Sequence, residues 1–417
     1  MNTGKLKENK GKIITFYSYK GGTGRSMAVA NVACLLSKET TGNILMIDWD
    51  LEAPGLHRYF ENYLPKSFSS KKGLIDFFIQ ANEEMPKMAL GEEDDKRLER
   101  LFAHLEKQYI QNLKKIPGSL DNLFLFSAGL FDMQYSERVS EFNWQQFFQK
   151  IPGFFKVFAD YLTQHYAYIL IDSRTGHTDI GGICTMLMPE KLVLVFTPNN
   201  QSLEGVLDLA ERATNYRRHS DDLRPLAIYP LPSRIELSEV DLRKKWQTIY
   251  TEKFTKVLKE IYDLPDNITL TPYFDLVQIR RVSKYAYGEE IAVIDESTRD
   301  INSLAIAYEA FIAYLTSDVD IWRYEFDSTV QGVKRLIADG RLKEAIELMS
   351  DKYPKSDELS RLMSRLNYVE RQSRLGLSSV NDYSTEYNQI TVNILDILDN
   401  VRFFSNDDLS LVRKRNH

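Results

Sequence analysis

A chain of 417 residues, 43% hydrophobic and 12% aromatic, holds enough apolar material for one large core and a smaller module beside it, which excludes a disordered polymer. A formal net charge of −6 disfavours a general nucleic-acid binder, because collecting phosphates takes a basic face. Two cysteines, Cys34 and Cys184, exclude a disulfide framework or a cysteine-built zinc site, and their apolar neighbours mark them as buried free thiols.

The N-terminus is polar and lysine-rich (Lys5, Lys7, Lys10, Lys12) and lacks the apolar stretch of a secretory signal. A β-rich run, Ile13 to Ser18, leads into the turn Tyr19-Lys20-Gly21-Gly22-Thr23-Gly24-Arg25-Ser26, and a helical pattern follows from Met27 to Lys38. Short continuous apolar runs then recur at Asn43–Asp48, Leu123–Phe126, Tyr168–Asp172, Leu192–Phe196 and Pro225–Tyr229, with helical patterns between them. Runs of this kind suit strands buried on both faces, and their alternation with helices predicts an α/β fold with a parallel sheet. Residues 61–120, rich in charge and helix formers, read as a helical insertion. No apolar run approaches the roughly 20 residues that span a bilayer, so no transmembrane segment is expected and the expected location is the cytoplasm.

Beyond residue 317 the strand-like runs stop. Three helical stripes appear: Leu342, Ala345, Ile346 and Met349; Leu359, Leu362, Leu366 and Val369; Tyr387, Ile390, Ile394, Leu398 and Val401. They predict a separate all-α module of about 75–90 residues, near the lower size limit for folding alone.

The turn at residues 19–26 is built for phosphate. Glycines let successive N–H groups converge on anionic oxygens, and the start of the following helix adds partial positive charge. The plain motif G-x-x-x-x-G-K-S/T fails, because Tyr19 replaces its first glycine and Arg25 its lysine. The turn instead resembles the deviant Walker A sequence K-G-G-x-G-K-S/T of the ParA/MinD family, with Lys20 as the signature lysine. Leu45–Asp50 looks like the second strand and switch I aspartate of that family, and Ile169–Gly176 like its Walker B strand and switch II loop. Val195-Phe196-Thr197-Pro198 and Pro272-Tyr273 stand where members carry nucleotide-flanking loops.

This resemblance implies a P-loop ATPase domain over residues 12–316, with ATP and Mg²⁺ as ligands. It implies that Lys20, Gly21, Gly22, Thr23, Gly24, Arg25, Ser26 and Met27 hold the nucleotide. Lys20 would act across a nucleotide-dependent homodimer, Asp50 would orient the attacking water, and Ser26, Asp48 and Asp172 would hold Mg²⁺ directly or through water. Three carboxylates at the carboxyl ends of parallel strands stand where open α/β sheets bind ligands. Arg25 keeps the positive charge of the family's lysine but is a planar fork, so binding is expected to survive and turnover to suffer. The phrases Phe16–Ser26 and Asp48–Leu56 resemble a bacterial subgroup with this arginine. Ser233-Arg234 is a candidate contact to base or ribose by family position, and His177 lies just past the switch II-like loop.

The tail, at 328–402, resembles small effector-associated domains of bacterial conflict and defence proteins, which implies a protein partner. A helical cap packed on the ATPase, or a tetratricopeptide-like hairpin, is the alternative. Three functions follow: an ATP-dependent switch that signals through its tail, a nucleotide sensor with little hydrolysis, and a partitioning or positioning ATPase acting on DNA or membrane.

Overall fold

The computed structural model describes residues 10–85, 98, 101–151, 153–176, 182–220, 226–262, 264, 269–296 and 303–316, and in the tail 333, 336–337, 341–352, 357–374 and 380–403. Two compact units divide the chain: the first is Met1–Asp222, Leu226–Ile261 and Asp266–Thr316, and the second is mainly Ser317–His417.

The first unit is built on a seven-stranded sheet. Its strands are β1 (Lys12–Tyr17), β2 (Ile44–Asp48), β3 (Ile110–Leu113), β4 (Leu123–Phe126), β5 (Tyr168–Asp172), β6 (Lys191–Phe196) and β7 (Ala227–Pro232), in the spatial order β3-β4-β2-β5-β1-β6-β7. Every pairing is parallel except that of β3 with β4. No residue of β2 or β6 is exposed, as expected of strands covered on both faces. Ile13, Leu45, Ile47, Ile169 and Ile171 pack on one face against α2 (Leu74–Glu84) and α3 (Phe154–His165). The alternating residues Ile14, Met46 and Leu170 are equally buried, on the side where α1 (Arg25–Glu39) lies along β1, β2 and β5.

Two differences from the sequence reading have physical causes. Residues 61–120 hold helices, including α2, but also β3, which pairs from Ile110↔Phe126 to Leu113↔Leu123. Only the end residues of Ile-Gln-Asn-Leu are buried, too little of a period-two pattern to announce a strand. The run read as beginning at Pro225 becomes β7 from Ala227 and continues through Pro230 and Pro232. Among the described residues β7 pairs with β6 alone, and an edge strand tolerates proline because its outer amides bond no neighbouring strand.

After β6 come α4 (Asn200–Arg218), then α5 (Val240–Tyr262) beyond β7, and the first unit closes with α6 (Leu304–Thr316). The buried Lys191 donates to the carbonyls' end of α6 at Leu315 (2.6 Å) and to the Tyr229 hydroxyl (3.2 Å).

In the second unit, α7 (Leu342–Lys352), α8 (Asp357–Arg374) and α9 (Val380–Phe403) share one apolar cluster. It buries Leu342, Ala345, Ile346, Met349, Leu359, Leu362, Leu366, Ile390 and Ile394, so the predicted stripes meet. Arg365 ties α8 to Glu386 of α9 at 2.7 Å. The side chains of Leu398 and Val401 lie outside the described residues. Among the described residues, no helix is long and apolar enough to cross a membrane.

Candidate functional site

β1 lies between β5 and β6, and the chain leaves it first toward β2 and later crosses back to β6, so the sheet's switch point falls at the carboxyl end of β1. Open α/β sheets place ligands in such a crevice. The Ser18 hydroxyl donates to the Lys20 carbonyl (2.9 Å) and fixes the start of the turn. Gly22 and Gly24 adopt left-handed φ values of 72° and 92°, which strain any other residue. A β-carbon at Gly24 would stand 3.1 Å from Ser233 Oγ, whereas at Gly21 or Gly22 it would meet nothing within 4 Å. The turn therefore rests on the end of β7 at Gly24 and faces open space at Gly21 and Gly22. No side chain caps α1 and no acid sits in its first turn, so its leading N–H groups keep their partial positive charge.

The carboxylates come from strand ends. Asp48 and Asp172 finish β2 and β5 and are register partners, which brings both beside the turn. Asp48 is committed to its own loop: one oxygen accepts from the Asp50 N–H (3.3 Å) and the other from the Leu56 N–H (3.1 Å). Burial, then repulsion from Asp172 and Asp50, pushes its carboxyl well above the usual carboxylate range. Burial also raises Asp50, partly offset by Arg25.

Arg25 opens α1 but sends its guanidinium into this cluster. It is 6% exposed; Nη2 donates to Asp50 Oδ2 (2.7 Å), Nε to Asp172 Oδ1, and Nη1 to Ser18 Oγ (3.3 Å). Burial alone would disfavour its charge, yet Asp172 and Asp50 outweigh that and hold it protonated more firmly than a free arginine. The arginine that opens α1 thus binds carboxylates at the strand ends. Lys20 is half-buried, and its ammonium makes no hydrogen bond or ion pair among the described residues.

Three buried polar atoms of this region have no partner: Thr23 Oγ1, Ser233 Oγ and Asp172 Oδ2. A buried orphan of this kind calls for a partner such as a water or an ion. No group of three His, Cys, Asp or Glu side chains among the described residues is arranged to hold a metal. Mg²⁺ needs none, since it takes one or two carboxylates and fills its shell with water and phosphate oxygens. The orphan oxygen of Asp172 fits that demand, while Asp48, with both oxygens occupied, suits a contact through water.

Spacing in the sequence did not show Ser18 as a partner of Arg25, nor the Leu56 N–H as a partner of Asp48; neither carries a type-specific signal. Ser233 lies beneath Gly24, and Arg234 takes a left-handed φ of 56°. Tyr273 is fully buried with its hydroxyl on the Pro230 carbonyl (2.7 Å), so it braces β7. His177 lies outside the described residues. Cys34 and Cys184 are buried and free.

Residues 328–402 match the family model described as effector-associated domain 11. No curated protein matches the chain. Among solved structures, the chain is similar to an ATP complex of McdA from Cyanothece, with 14% identity and a TM-score of 0.49 over 73% of this chain and 96% of that one. It is similar to a plasmid partition protein from Borrelia burgdorferi bound to AMPPNP, with 20% identity and a TM-score of 0.44 over 73% and 97%. It is also similar to the septum site-determining protein MinD from Pyrococcus horikoshii complexed with Mg-ADP, with 17% identity and a TM-score of 0.43 over 74% and 96%. The chain thus joins an α/β unit built on a mostly parallel sheet to a C-terminal segment that matches effector-associated domain 11.

Proposed function

We infer that residues 12–316 form an ATP-binding switch and that residues 328–402 relay its state to a protein partner in bacterial defence. One observation carries the nucleotide reading: a turn with left-handed glycines opens outward at the uncapped start of α1, beside the carboxylates that end β2 and β5. Amides from Gly21 to Met27 would cradle the phosphates, with Lys20 reaching the nucleotide of a second copy in a closed homodimer. Ser26 and Asp172 would hold Mg²⁺, with Asp48 behind a water. Mg²⁺ supplies charge neutralisation at the phosphate oxygens. Asp50 would orient the attacking water once its oxygen leaves Arg25.

The second reading, a nucleotide sensor that hardly hydrolyses, is favoured by one contact: the carboxylate assigned to water is already bound by Arg25. Phosphate-release kinetics separate the two. DNA partitioning is disfavoured by the net charge of −6.

Isothermal titration of the wild type and Gly24→Val with ATP and Mg²⁺ tests the site. The variant places a branched side chain where φ is 92° and Ser233 stands 3.1 Å away, so its binding heat is expected to vanish. Equal heats from both proteins, or none from the wild type and every variant, refute ATP binding at this turn.

A further inference from the structure

The guanidinium of Arg25 has three donors committed at once, to Asp172, Asp50 and Ser18, on partners that are themselves buried. Asp50 Oδ2 and Asp172 Oδ1 are correspondingly occupied. Engaged in this way, the guanidinium at the start of α1 is withheld from a polyphosphate, and the Asp50 oxygen it holds is withheld from an attacking water. Charge points the same way. Asp50 and Asp172 flank one guanidinium, and a polyphosphate adds further negative charge beside them.

We propose that the Arg25–Asp50–Asp172 cluster is an autoinhibitory latch, in which Arg25 must exchange Asp50 for phosphate before nucleotide is held. This rests on the nucleotide reading above. The fork shape of arginine matters, because its separate nitrogens hold Asp172 and Asp50 at fixed positions together, while lysine offers one compact ammonium on a flexible stem without that fixed geometry. The latch thus gives a function to the arginine that replaces the family's lysine: it lowers the fraction of molecules competent to bind, and apparent affinity falls by that fraction.

The test uses the full chain, Mg²⁺ and a fluorescent derivative of AMPPNP, which removes hydrolysis from the readout. In the wild type, the observed binding rate is expected to level off with ligand concentration, at the rate of latch opening. Asp50→Asn keeps the shape but removes one ionic arm, and Arg25→Lys keeps the charge but loses the rigid fork that clamps both carboxylates. Each is expected to raise the plateau and tighten binding by about tenfold.

Variants that bind while the wild type does not also support the latch. A wild-type rate that climbs linearly without a plateau overturns it, as do folded variants that bind equally or more weakly; both leave the nucleotide reading standing. No binding by any of the three proteins overturns both. Circular dichroism melts show which variants are folded, and the wild-type rate law decides even where both variants fail to fold.

Discussion

Asp48 shows how much a single buried carboxylate can oppose the fold that positions it. Its two oxygens accept the Asp50 and Leu56 N–H groups and so shape the loop leaving β2. Burial and the neighbouring carboxylates nevertheless raise its pKa well above the ordinary value of 3.8. A carboxyl raised in the folded state ionises first in the unfolded chain as pH climbs. Its contribution to stability is complete below the unfolded value and is lost as pH rises through the folded one. Asp48→Asn cannot titrate and gives up one acceptor. Wild type is therefore expected to melt higher than the variant near pH 4, by several degrees, with the gap closing or reversing toward neutral pH. Melting curves across that range check it; a gap that widens with pH contradicts the sign.

At the scale of elements, the site is held by an aromatic layer beneath β2. Trp49, between Asp48 and Asp50, donates its backbone N–H to the Asp172 carbonyl (2.9 Å). Its ring lies 5.5 Å from Phe78 on α2, which in turn meets Trp144 (4.8 Å), Phe147 (5.6 Å) and Phe155 (5.8 Å). Phe78→Ala is expected to destabilise the first unit by about 3–5 kcal/mol, measured by urea unfolding, and to weaken nucleotide binding by loosening Trp49. Loss of stability with unchanged affinity would separate the layer from the site. This layer was not legible in the sequence, because its rings come from segments whose contacts no local period encodes. The central strands were legible, since burial on both faces writes continuous apolar runs such as Leu192–Phe196. The same contrast holds in the site. The glycines of the turn and the aspartates at strand ends are local signals, whereas Arg25 meets carboxylates 25 and 147 residues away, and spacing could not pair them. β3 escaped for a third reason, its short, half-polar edge pattern.

On the scale of the whole chain, the question is whether the tail is needed by the α/β unit or only by its partner. The first unit has its own terminus: α6 ends at Thr316, and the buried Lys191 holds the Leu315 carbonyl at 2.6 Å. A chain cut before that carbonyl would leave a buried ammonium short of a partner, so the informative truncation ends at Thr316. The three tail helices share a separate cluster built from Leu342, Ile346, Met349, Leu362, Leu366, Ile390 and Ile394. A module of this size buries only about 60% of its chain surface, so it gains from a second apolar surface, either a like module or the α/β unit itself. The adaptor reading expects residues 1–316 to remain soluble, to melt within a few degrees of full length and to bind ATP with similar affinity, while capture of the partner is lost. Residues 328–402 alone are then expected to be helical and to self-associate or bind a like domain. A cap instead leaves an exposed apolar face when removed, and the truncated protein would aggregate or melt much earlier. Melting temperature, sedimentation and ATP titration of the two pieces against full length decide the matter. A truncated protein that precipitates or loses ATP, beside a tail that stays monomeric, assigns the tail to the core of the α/β unit.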